Sequence, residues 1–151
     1  MRMELKAELL EYCANAIKAR RQIISEAFLN AQSAANEETK SSAGDKYETG
    51  RAMMHLEKEK LATQMAEVSK MEMALSQIDP AKHSQTIAIG SLVSSINGNY
   101  FLAVSLGQIE LSNGKYFAIS PASPIGRAML GKKQNDFYEF GGKKVKIEKV
   151  L

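Results

Sequence analysis

Ser41-Ser42-Ala43-Gly44-Asp45-Lys46-Tyr47-Glu48 is a small polar break between two long helical patterns. If the flanking helices pack antiparallel, this stretch is the tip of a hairpin. Residues 4–35 contain neither Gly nor Pro and are rich in Ala, Leu, Glu, Lys and Arg, and residues 51–78 have the same character. A helix of some 30 residues is on the order of 45 Å long. Carboxylates at such a tip, Asp45 and Glu48, stand far from the hydrophobic core and suit delivery into a cavity of another molecule.

Both flanks carry a heptad-like stripe. In the first, Leu10, Cys13, Ile17, Ile24, Ala27, Ala31 and Ala34 recur at threes and fours, apart from a basic slot at Arg20. In the second, Met54, Leu61, Met65, Val68, Met71, Leu75 and Ile78 do the same, with charged residues between them. Each stripe needs a partner. Two stripes joined by a short polar break cover one another most simply as an antiparallel coiled coil. The methionines read as core filling.

Asp79-Pro80 closes the second helix, because a proline disfavours the helical conformation in the residue before it. Beyond it the period is that of strands. Short runs at 86–89, 92–96, 100–106, 108–111, 116–119, 137–140 and 145–150 hold β-branched or aromatic residues. Asn97-Gly98, Asn113-Gly114 and Gly141-Gly142 suit tight hairpins. Within Ser123-Pro124-Ile125-Gly126-Arg127-Ala128-Met129-Leu130-Gly131, Ser123 can cap a short helix, Pro124 fits its first position and Gly131 its stop. The expected architecture is α+β in two domains. A coiled-coil hairpin occupies 1–78 with an acidic tip near 41–49, a linker follows at 79–84, and a small antiparallel sheet with one short helix fills 85–151.

Composition divides at the same place. Residues 1–78 hold seven of the eight Met, two of the ten Gly and no Pro, with 11 basic and 12 acidic residues; the remainder has 9 basic and 5 acidic. Solvated lysines on edge strands give such an excess, which is too weak a basis for nucleic-acid binding. Cys13 is alone, so no internal disulfide forms, and His55 and His83 leave no Cys/His zinc site. On the helix seam, Cys13 reads as a small buried hydrophobe. Residues 1–7 are charged and no run approaches the ~18 apolar residues of a membrane span, so the expectation is a cytoplasmic monomer with no membrane partner. There is no Ser/His/Asp grouping, no phosphate-cradling Gly loop and no complete metal set, which argues against an independent enzyme.

Asp45 and Glu48 are three apart, so on a helical turn they point to the same side. Their repulsion is relieved by a divalent cation, and Mg²⁺ is commonly held by one or two carboxylates together with water or phosphate oxygens. The pair can contribute part of such a site but cannot complete it. Asp-x-x-Glu at a helix start is also a capping-box-like signature, and spacing alone favours that account. Lys40 and Lys46 offset Glu37 and Glu38 nearby. Lys18, Arg20 and Arg21 form either a basic patch facing RNA or a solvated helix face.

The arrangement resembles the Gre family of bacterial transcript-cleavage factors. Gly44-Asp45-Lys46-Tyr47-Glu48-Thr49 stands where the family has Gly-Asp-x-x-Glu-Asn. Ser123-Pro124-Ile125-Gly126-Arg127-Ala128-Met129-Leu130-Gly131-Lys132-Lys133 is close to the family's Ser-Pro-[Leu/Ile]-[Ala/Gly]-Arg-Ala-Leu-[Leu/Ile]-Gly-Lys-Lys. The resemblance implies an FKBP-like C-terminal domain behind the coiled-coil hairpin, and a DNA-binding, cytoplasmic transcription elongation factor. It implies that the hairpin enters the secondary channel of RNA polymerase, where Asp45 and Glu48 help hold a Mg²⁺ shared with the enzyme. The polymerase then cleaves backtracked RNA, and this chain meets the nascent 3′ end only indirectly. Thr49, Gly50 and Arg51 depart from the family pattern and leave open a channel-binding regulator that does not cleave. A coiled-coil adaptor is a further alternative. Prolyl isomerase activity does not follow from an FKBP-like fold.

Overall fold

A computed structural model describes the backbone of residues 2–40 and 45–151, and the side chains of these except at 2, 35, 38–40 and 45–47. The elements are α1 (Arg2–Lys40), α2 (Asp45–Ser76), β1 (Leu92–Ser95), β2 (Gly98–Leu102), β3 (Gly107–Leu111), β4 (Gly114–Ile119), α3 (Pro124–Met129), β5 (Phe137–Phe140) and β6 (Lys143–Val150). The fold is α+β: two long helices, then a six-stranded sheet with one short helix. Contacts divide the chain into two compact units, Ala16–Glu72 on the one hand and Met1–Asn15 with Met73–Leu151 on the other.

Ala16–Glu72 holds the middle and end of α1 and most of α2. Ile17, Ile24 and Ala31 of α1 and Leu61 and Val68 of α2 are buried. The threes and fours of the sequence stripes therefore mark the buried side of each helix. Arg21 bonds to Met65, Ser69 and Glu72 of α2, and Lys58 lies over the ring of Phe28 at 5.8 Å. Partner numbers fall on α2 as they rise on α1, so the two segments run antiparallel. At the basic slot both arginines reach α2: Arg20, though exposed, donates to Met71 Sδ at 3.8 Å, and the half-buried Arg21 makes the bonds just given.

In the other unit, the first turns of α1 bury Leu9 rather than Leu10, together with Cys13; both are fully buried. Lys6 is also buried, its Nζ donating to the Lys82 carbonyl at 3.2 Å. α2 stops at Ser76, and two shorter-range bonds, Gln77 N to Ala74 O and Ile78 N to Leu75 O, tighten its end. Asp79 Oδ1 accepts from Ala81 N at 2.9 Å, turning the chain where Pro80 prevents further helix.

The strand order is β3-β4-β2-β1-β6-β5. All neighbours pair antiparallel except β2 and β4, which are parallel with Tyr100 opposite Phe117 and Leu102 opposite Ile119. The sheet is thus mixed, correcting the expectation of a purely antiparallel one. The cause is topological. After β2 the chain runs back as β3 at the sheet's edge, and the Asn113-Gly114 turn then brings β4 alongside β2 in the same direction. The run at 86–89 forms no strand: Thr86 makes a single bridge to Lys133, and Ile87 exchanges backbone bonds with Lys132 and Gly131. Gly90, at φ 89, takes the chain out of extension immediately afterwards.

One face of the sheet and α3 enclose a core of Ile87, Val93, Leu102, Met129, Tyr138 and Ile147, joined by Val145 and Val150. α3 forms where its capping chemistry places it. Ser123 Oγ accepts from Gly126 N at 3.1 Å and donates to Ser120 O at 2.6 Å, Pro124 opens the helix, and Gly131 follows at φ 80.

Candidate functional site

Asp45 and Glu48 are the first and fourth residues of α2, so their Cα atoms sit one turn apart on one side of that helix. Glu48 and Thr49 are exposed. The Asp45 side chain and residues 41–44 of the expected tip lie outside the described residues. α2 runs on through Gly50 without interruption, although glycine costs a helix interior up to about 1 kcal/mol relative to alanine. Arg51, also exposed, is one turn beyond Glu48.

Chemically, the first turn of α2 offers hard oxygen donors at a helix N-terminus, where the unpaired amides and the helix dipole favour negative charge. Aspartate and glutamate suit Mg²⁺, which accepts one or two carboxylates and completes its octahedron with water or phosphate oxygen. Among the described residues no group of three or more His, Cys, Asp or Glu could hold a metal ion. By themselves two carboxylates would make up only part of such a coordination shell.

The basic residues near the middle of α1 divide between two roles. Arg21 is committed to α2: its Nε donates to Glu72 Oε1 at 2.9 Å, a second guanidinium nitrogen bonds Ser69 and the same carboxylate, and the third meets Met65 Sδ at 3.1 Å. Lys18 and Arg20 remain exposed. Arg20 nevertheless donates to Met71 Sδ of α2 at 3.8 Å, so both arginines reach across to the second helix and the pair is not a free surface patch.

Two features escaped the sequence reading. A groove of about 490 Å³ beside the helix seam is lined by Ile24, Phe28, Leu29, Leu61 and Met65. Phe28 and Leu29 lie off the heptad stripe, so spacing gave them no role. The second is Lys6, whose burial follows from the Lys82 carbonyl, a partner 76 residues away that no local pattern reveals. Among the described residues no helix is long and apolar enough to cross a membrane. Comparison of the chain with protein-family models and with curated proteins finds no match.

Proposed function

We propose that this protein is a Gre-type transcription elongation factor, in which α1 and α2 form an antiparallel coiled-coil hairpin and the β-rich region is an FKBP-like domain. In this proposal the hairpin enters the secondary channel of RNA polymerase and brings Asp45 and Glu48 to the catalytic centre. The observation that carries it is the juxtaposition of two long antiparallel-packed helices with a two-carboxylate first turn directly after their connection. The Ser123–Gly131 segment adds support, because it forms the capped short helix its sequence encodes.

The chain's own part is to position charge. Asp45 and Glu48 would present carboxylate oxygens to a Mg²⁺ shared with the polymerase, and α2 fixes their spacing at one turn. When bound, that ion lowers the pKa of an attacking water and stabilises the phosphoryl transition state. Arg21 and its α2 partners keep the helices in register behind the tip. The protein is an accessory factor on this account, and the polymerase is the enzyme.

A transcript-release assay tests the proposal. With a backtracked elongation complex and Mg²⁺, the protein should accelerate release of short 3′ RNA fragments. Asp45→Asn and Glu48→Gln should each abolish the acceleration while polymerase binding persists. No acceleration by the native protein would reject cleavage. A second reading rests on Thr49 and Arg51, exposed around the first turn of α2. Arg51 places a positive charge one turn past Glu48 and offsets its attraction for a cation. That reading is a channel-binding regulator without cleavage, for which polymerase binding and altered elongation occur with no fragment release.

A further inference from the structure

We propose that the edge strand β5 is a docking site for an extended, acidic peptide segment of a partner protein. Among the described residues β5 ends the sheet, pairing with β6 on one side and with no strand on the other. A free strand edge presents main-chain donors and acceptors that an added strand can satisfy.

The two edges of this sheet differ. On β3 the exposed positions are Gly107, Gln108 and Glu110, with Ile109 buried. On β5 they are Phe137, Glu139 and Phe140, the phenylalanines 49% and 48% exposed. Proteins ordinarily protect an edge by keeping it short, by charge or proline on the strand, by a bulge or by a covering element. β5 is four residues long with one charge, Glu139, but it has no lysine or proline, and its register with β6 is unbroken from Phe137–Lys146 to Phe140–Lys143. The strand is also held rigid, since Tyr138 is buried and its hydroxyl bonds Ser95 Oγ at 3.1 Å. A preformed edge reduces the ordering cost of adding a strand.

Charge selects the occupant. Between Lys132 and Lys149 there are six lysines and three acidic residues. Among the described residues none of these six ammonium groups takes part in an ion pair. Glu139 faces Lys144 in register without pairing to it. A second copy of this chain would bring the two sets of lysines together, which like-charge repulsion opposes. Single-stranded nucleic acid would need a continuous stacking surface. Phe137 and Phe140 are an odd number apart and point to opposite faces of the strand. An extended peptide of alternating acidic and apolar residues meets these features: main chain to the free edge, apolar side chains to Phe140 on one face, and carboxylates on the other face towards Lys144 and Lys146 of the adjoining β6, which together outweigh Glu139.

Fluorescence anisotropy of the full-length protein with a labelled peptide of alternating Glu and Val provides the test, beside an alternating Lys-Val peptide and a single-stranded oligothymidylate. The Glu-Val peptide should bind, weaken with salt, and slow amide hydrogen exchange in residues 137–140. Lys144→Glu with Lys146→Glu should weaken it about tenfold or more, as should Phe140→Ser with the circular dichroism of the sheet unchanged. No binding of the Glu-Val peptide would overturn the proposal. So would tighter binding of the oligothymidylate, or binding indifferent to the lysine reversals.

Discussion

At the scale of single residues, Cys13 shows how burial governs chemistry. It has no exposed surface, and burial pushes its thiol up from an ordinary 9.0 to about 11. The thiolate is the reactive form, so labelling by a thiol reagent at pH 8 should be very slow in the folded protein and complete in denaturant. Rapid labelling without denaturant would contradict this burial. The linkage has a definite sign. The folded state keeps a proton that the unfolded state loses, so stability is intact below about pH 9 and declines as pH rises towards 11. Urea midpoints across that window check it, with Cys13→Ala removing this part of the decline. Arg21 is a different case, because its side chain and that of Glu72 are 38% and 43% exposed. A double-mutant cycle between them should give a coupling of about 0.2–1 kcal/mol that shrinks in high salt. Arg21→Lys should not restore it, since an ammonium cannot span Glu72, Ser69 and Met65 together.

Among the elements, α3 depends most directly on particular atoms. A Cβ at Gly126 would fall inside contact distance of the Ser120 carbonyl oxygen and lie 3.0 Å from Pro121 Cα, both backbone atoms. Gly126→Ala should therefore cost about 1–3 kcal/mol, read as a lower urea midpoint. Ser123→Ala should cost about 1 kcal/mol through the lost cap. Unchanged midpoints in both variants would mean that the turn before α3 yields freely. This helix was legible in sequence because Ser123, Pro124 and Gly131 act within a few residues of one another. The helix stripes were legible too, and for the same reason. The exceptions are informative. Leu9 rather than Leu10 is buried because the contacts around the start of α1 include Lys6 and the Lys82 carbonyl, distant in sequence. The parallel pairing of β2 with β4 escaped because hairpin signals specify which strands turn back, not where a returning strand inserts. The run at 86–89 has strand composition but only a single bridge to Lys133.

For the whole molecule, sequence placed the two carboxylates after a break between helices, and α2 begins at the first of them. In the proposal their role depends on a partner, whereas spacing alone favours a helix cap over a share in a metal site. The proposal therefore predicts a place as well as an activity, and place is the more direct test. Thr49 is exposed and Cys13 is buried, so Thr49→Cys should take a tethered iron chelate at position 49 alone. With this protein bound to a backtracked RNA polymerase complex, hydroxyl radicals should cut the RNA near its 3′ end and the polymerase chain around its catalytic centre. Cuts confined to the polymerase exterior, or none at all, would contradict the account.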